Sequence, residues 1–168
     1  MTLAKETKKK NVITPKIGEF GVIYTQFENR PKEAMVHLST LKSGECPKAF
    51  YRDDIGFVDF VWGEPDTVVR GKKKSGFGLC HILTDHGDEI RQFGIEPIDF
   101  ILMLLRFGKI EDGKKGNKIF IEGELYRLII TTEWYGKAKQ LLLTAFDLRP
   151  IGRKNPKRAA EMKKASRR

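Results

Sequence analysis

At 168 residues, with 40% hydrophobic side chains and 11 Phe, the chain has the length and apolar content of one folded domain rather than a disordered segment. No apolar run approaches the roughly 18 residues of a membrane span, and the opening MTLAKETKKKN lacks the apolar stretch of a signal peptide, so a cytosolic protein without membrane contact is expected. The net charge of +10 suits a polyanionic partner, but it is unevenly distributed.

Residues 1–16 carry +4, residues 149–168 carry +8, and the stretch between them carries −2. Two basic, flexible tails (1–16 and 149–168) are therefore expected around one compact domain over 17–148. Such tails serve solubility, or they supply a salt-sensitive attraction to nucleic acid.

In ENRPKEAMVHLSTLKSGE, Pro31 falls in a first helical turn, Met35, Leu38 and Leu41 repeat at helical spacing, and Gly44 ends the helix. His37 lies off that stripe and reads as solvent-exposed. The cysteines, Cys46 and Cys80, are too isolated for a zinc site, and a disulfide between them is not expected.

KAFYRDDIGFVDFVWGE reads as a hairpin turning at Asp53–Gly56. Alternation puts Val58, Phe60 and Trp62 on one face and Phe57, Asp59 and Val61 on the other. Asp59 among apolar neighbours needs a backbone donor or a cation, because an unpaired buried carboxylate is costly. GEPDTVVRGKKKSG then reads as a polar loop with Lys72, Lys73 and Lys74. It lacks the order G-x-x-x-x-G-K-S/T of a phosphate-binding P-loop. What remains is a cationic loop before a helix start, suited to phosphate or simply solvated.

SGFGLCHILTDHGDE places Ser75 as N-cap of a helix over roughly 77–86, stopped by Gly87. At 100° per residue His81 and His86 are about 140° apart, so they should not face each other, and a zinc-protease helix is excluded. His86 shares the apolar side with Leu79, Ile82 and Leu83, while His81 reads as exposed; each is open to a catalytic or a structural role. EPIDFILMLLRFGKI is a buried helix between Pro97 and Gly108. NKIFIE, LYRLIITT and AKQLLLTAFDL form an antiparallel meander, in which Arg127 shares a face with Leu125 and Ile129 and either snorkels or holds phosphate.

Taken in order, IGEFGVIYTQF, PKEAMVHL, GECPKAFYRDDIGFVDFVWGE, GFGLCHILTDH, LLRFGKI and LLLTAF resemble the phage-associated barnase–EndoU–colicin–RelE-like nucleases over roughly residues 17–147. The blocks that carry the resemblance are D-x-V-W-G and G-L-x-H-I-x-x-x-H. Phe57 stands where the family's G-D-I-D strand has its first Asp, and the stretch 63–74 is longer and more basic than usual.

The resemblance implies an α+β fold with helices on a small antiparallel sheet. It also implies metal-independent endoribonuclease activity without a cofactor, in a toxin or effector of phage or mobile-element origin. By the same resemblance His81, His86, Arg127 and Thr144 are the catalytic candidates, with Arg127 as phosphate cation and Thr144 as donor to a phosphate oxygen. Asp59, Trp62, Lys72, Lys73 and Lys74 are candidates for substrate contact. RNA is the implied partner, with a cognate inhibitor protein as a second. A nonenzymatic nucleic-acid-binding or phage-structural module on the same fold, and an ADP-ribosyl or glycosyl transferase, are the alternatives.

Overall fold

The computed structural model describes residues 14–149, apart from the side chains of residues 112–115. The basic tails therefore lie almost wholly outside the described residues. Arg149 is described, and its guanidinium is bound to Asp147, with a shortest contact of 2.6 Å.

The chain opens with a small ribbon, β1 (Ile17–Gly18) and β2 (Gly21–Val22), and a 3₁₀ turn at Thr25–Phe27. Helix α1 (Pro31–Leu41) starts on Pro31, whose missing N–H would be unpaired in a first turn anyway. It ends on Lys42 in the left-handed conformation, φ 53°, and not at Gly44. His37 is half-buried, contrary to expectation: its ring meets Tyr24 edge-on at 4.3 Å and Phe27 at 4.8 Å.

Strands β3 (Glu45–Arg52) and β4 (Gly56–Val61) form the expected hairpin. The expected polar loop is instead a second hairpin, β5 (Thr67–Val69) and β6 (Lys72–Lys74), turning through Arg70 and Gly71, both at positive φ. Helices α2 (Gly78–Asp85), α3 (Gly87–Arg91) and α4 (Pro97–Phe107) follow. Strands β7 (Lys109–Lys115), β8 (Lys118–Glu122), β9 (Tyr126–Trp134) and β10 (Lys137–Asp147) close the chain.

The main sheet has the order β3-β4-β10-β9-β8-β7. The meander from β7 to β10 is antiparallel, and β10 joins β4 in parallel at Leu141↔Asp59, which makes the sheet mixed. Leu128 and Ile130, Ile119 and Ile121, and Val58 and Phe60 alternate inward and meet Leu79, Ile82, Ile101 and Leu105 of the helices in one core. The fold is α+β, with the helices packed on the sheet. Arg52 of β3 closes the far end of α4, donating from Nη1 to the carbonyls of Leu105 at 3.1 Å and Gly108 at 2.6 Å. A cation there satisfies orphan carbonyls and complements the helix dipole.

The start of α2 is pressed against the end of β4. Cys80 N–H donates to the Trp62 carbonyl at 2.7 Å, and Glu64 and Phe77 bridge by paired backbone bonds of 3.0 and 2.9 Å. Gly63 and Gly78, at φ 77° and 75°, make that approach possible. A Cβ on Gly63 would lie 2.1 Å from the Phe77 carbonyl oxygen, and one on Gly78 would lie 2.8 Å from that of Trp62. The glycines of the W-G and G-L blocks thus fix where the histidine helix begins. Among the described residues no helix is long and apolar enough to cross a membrane.

Candidate active site

Helix α2 has no side-chain N-cap: Ser75 is exposed and Phe77 occupies the cap position in extended conformation. The helix ends on His86, and α3 begins at Gly87, where a stop was expected. This break changes the angular relation of the two histidines. Their rings meet edge to face at 5.0 Å, although a continuous helix would hold them apart.

His81 is buried, 6% exposed, where exposure was expected. Both of its ring nitrogens are engaged. Nδ1 lies 2.8 Å from Asp85 Oδ2 and 3.1 Å from Asp66 Oδ1. Nε2 lies 2.7 Å from the Thr144 hydroxyl on β10, 63 positions along the chain. Two carboxylates on one ring nitrogen require that nitrogen to carry a proton, and in the neutral imidazole Nε2 then accepts from the Thr144 hydroxyl. The order carboxylate, imidazole, hydroxyl is the arrangement that makes an imidazole an oriented base.

The carboxylates are themselves held. Asp66 Oδ1 accepts from Gly76 N–H at 2.7 Å, its Oδ2 meets the Lys73 ammonium at 2.9 Å, and Asp85 Oδ2 accepts from Asp66 N–H at 2.9 Å. The Gly76 N–H foremost, and then Lys73, hold the Asp66 carboxyl below the usual carboxylate range. The same contact raises the Lys73 ammonium, which stays charged near neutrality. Asp66, His81 and Asp85 could offer three ligand atoms to a metal ion, all within 4.8 Å of one another. As they stand, the two carboxylates are occupied by N–H and ammonium donors and clamp the imidazole.

The Asp66 shift carries a pH signature. A carboxyl lowered in the folded state stabilises fully above the unfolded value of about 3.9, and the contribution is lost as pH falls through the lower folded value. The melting-temperature gap between the wild type and Asp66→Asn should therefore be full near neutrality and close below about pH 4. A gap that persists in acid would detach Asp66's role from its charge.

Of the remaining candidates, Lys73 and His86 adjoin this cluster, through Asp66 and through the His81 ring. His86 Nδ1 lies 3.2 Å from Glu89 Oε2, which also accepts from Tyr126 O–H at 3.3 Å. Asp59 has both partners foreseen for it: it accepts from Lys48 N–H at 2.8 Å and pairs with Lys139 at 3.1 Å. Arg127 neither snorkels nor stands free; it pairs with Glu122, with Glu111 at 2.7 Å, and lies 4.8 Å from the Phe120 ring centre. It is on the face opposite Tyr126, Leu128 and Ile130, which enter the core. Lys72, Lys73 and Lys74 form strand β6, exposed along its length, with Lys74 3.9 Å from Glu64. Trp62 is half-buried against the core and lines an open cleft of about 580 Å³. The two cysteines are free and buried, and burial, followed by the neighbouring Glu45 charge, pushes the Cys46 thiol up to about 12.

The sequence reading missed Asp66 and Asp85. Asp85 had a legible signal, because it stands four residues after His81 on the same helix. Asp66 had none: only the hairpin β5–β6 and the docking of α2 carry it to the imidazole.

A family model described as phage-Barnase-EndoU-ColicinE5/D-RelE like nuclease matches residues 49–149. That span contains Asp66, His81, Asp85, His86, Arg127 and Thr144 and leaves out the motifs before Ala49. No curated protein and no solved structure matches the chain.

Proposed function

Because the chain belongs to the phage-Barnase-EndoU-ColicinE5/D-RelE like nucleases, we propose that it is an endoribonuclease that cuts without metal, through proton transfer at His81. The observation that carries this reading is the imidazole whose Nδ1–H is fixed by Asp66 and Asp85 while Nε2 faces Thr144. When RNA enters, the ribose 2′-OH takes the place of the Thr144 hydroxyl at Nε2. Nε2 accepts the proton, the 2′-oxygen bonds to the adjacent phosphorus, and the bond from phosphorus to the 5′-oxygen breaks as that oxygen is protonated. The two carboxylates stabilise the imidazolium formed in the first half. A positioned acid–base group of this kind contributes about 10²–10⁴-fold.

His86, with its ring 5.0 Å from that of His81, is the second proton carrier within reach. The displaced Thr144 hydroxyl donates to a non-bridging phosphoryl oxygen, where charge develops. Neutralisation of the phosphate falls to the exposed strand of Lys72, Lys73 and Lys74, whose Lys73 ammonium already reaches Asp66 of the imidazole cluster, whereas Arg127 is committed to two glutamates. Trp62 serves the architecture beneath α2, and Asp59 locks β4 to Lys139 of β10. A small nuclease of this kind would act as a phage or mobile-element toxin or effector, held in check by a cognate inhibitor protein.

The test is cleavage of total RNA, and of DNA of matching sequence, in excess EDTA, with the fragment ends identified. Cleavage of RNA alone, leaving 2′,3′-cyclic phosphate, is the expected result. Products ending in 3′-hydroxyl, a requirement for added Mg²⁺, or equal cutting of DNA would overturn the mechanism, and in the metal case would make Asp66, His81 and Asp85 its ligands. RNA bound but uncut would favour the nonenzymatic alternative.

A further inference from the structure

We propose that the cleft beside the His81 cluster holds an unpaired base of a single-stranded RNA, stacked against Trp134 and Tyr135, and so sets which strands the enzyme can cut. The proposal rests on the endoribonuclease reading for its substrate and on separate residues for its geometry. The cleft, of about 580 Å³, lies open to solvent and is walled by Phe20, Phe77 and Trp134. These three half-buried rings converge, with centroids 4.7 Å apart for Phe77 and Trp134, 5.5 Å for Phe20 and Trp134, and 5.9 Å for Phe20 and Phe77. Tyr135 extends the wall, 5.2 Å from Trp134, and is 85% exposed. Such a concentration of open aromatic surface suits flat π-systems of any sequence.

Lys42 and Lys74 stand on the rim, and the Trp134 indole N–H is satisfied by Glu19 at 3.1 Å, which holds the ring in place. Glu19 and Glu64 also line the cleft, Glu64 lying 3.9 Å from Lys74, so stacking on the rings rather than net charge is what holds a base there. Three lining residues adjoin groups of the imidazole site. Gly76 on the cleft wall donates to the Asp66 carboxylate that holds His81, Phe77 precedes the first residue of α2, and Leu143 on the floor precedes Thr144. On this reading the stacked base and the phosphate at the proton-transfer group belong to one strand.

The turn supplies a second observation. Tyr135 and Gly136, at φ 46° and 77°, are the two central residues of the β9–β10 hairpin turn. Asn or Asp ahead of Gly is the favoured choice there, and a bulky ring in that conformation is strained. The ring is also nearly all in solvent, so it adds little to the core. Strained residues of this kind cluster at functional positions.

The test measures binding of an uncleavable 2′-O-methyl RNA decamer, single-stranded and as a duplex, to the wild type, Tyr135→Asn and Trp134→Ala, alongside their cleavage of unmodified RNA and their melting temperatures. Tyr135→Asn should melt no lower than the wild type while its Kd for the single strand rises by about five- to a hundredfold, the range for one lost stack. Trp134→Ala should weaken binding at least as much, and the duplex should bind more weakly than the single strand throughout. Unchanged affinity in both variants, or a duplex bound as tightly as the strand, overturns the cleft proposal even if RNA is cut. Weakened binding in a protein that cuts no RNA leaves the base-binding cleft standing and removes the nuclease mechanism instead.

Discussion

His81→Ala is expected to lower RNA cleavage by at least about 10²-fold, because it removes the only imidazole whose two nitrogens bridge the paired carboxylates and Thr144. Unlike loss of an exposed catalytic side chain, this loss is also expected to cost stability. The ring is buried, and its removal leaves the Thr144 hydroxyl and the Asp66 and Asp85 carboxylates short of a partner, at about 1–3 kcal/mol. The two effects are separated by measuring kcat well below the variant's melting temperature, where the folded fraction is near unity, and by the parallel variant His86→Ala. That second ring makes one side-chain hydrogen bond, to Glu89, so its loss should affect the rate less than loss of His81 does. A folded His81→Ala protein with undiminished cleavage would remove His81 from the chemistry.

Gly63→Ala is expected to give the largest loss of stability among the glycine substitutions. Its φ of 77° and the 2.1 Å approach of the Phe77 carbonyl oxygen add a backbone collision to a conformational penalty. Together these should cost at least about 2 kcal/mol, roughly 5 °C or more in melting temperature for a domain of this size. Gly94 supplies the control: its φ of 76° is the same, and nothing lies within 4 Å of a Cβ placed there. Gly94→Ala should therefore lose only the conformational part, about 1 kcal/mol. Calorimetry on the pair isolates the collision, and equal losses would show that the junction of β4 and α2 yields. Since that junction also sets the start of α2, Gly63→Ala should lose activity beyond its unfolded fraction.

How much of this was legible depended on whether a segment's structure is dictated by its own neighbours. Helix α4 carries its own Pro and Gly boundaries and an apolar surface, and the hairpin β3–β4 and the meander β8–β10 are apolar runs separated by short polar turns; all of these read directly from the sequence. The hairpin β5–β6 did not, because both of its strands are exposed and its turn is Arg70–Gly71 rather than Asn-Gly. Strand β7, KIEDGKK, was equally silent, with Ile110 as its one large apolar residue. The error at His81 has another cause. A helical wheel assigns an isolated polar residue to solvent, whereas here Asp66 and Thr144, remote in sequence, satisfy both nitrogens and make burial affordable. Thr144 was reached through the family resemblance alone, and its bond to His81 is a side-chain contact between helix and sheet.

The central position of β10 has a consequence for how the molecule comes into being. This strand lies between β4 and β9, carries Thr144 to His81 and Lys139 to Asp59, and places Gln140 against the carbonyls of Ile55 and Phe57. During synthesis, a nascent polypeptide that has reached only the Tyr135–Gly136 turn holds two sheet fragments with no strand to join them and an imidazole without its hydroxyl. Pairing β10 with β4 closes a span of some 80 residues, the kind of distant contact that forms late. A chain translated amid the very polymer it is proposed to cut thus acquires its cutting geometry after most of it has left the ribosome.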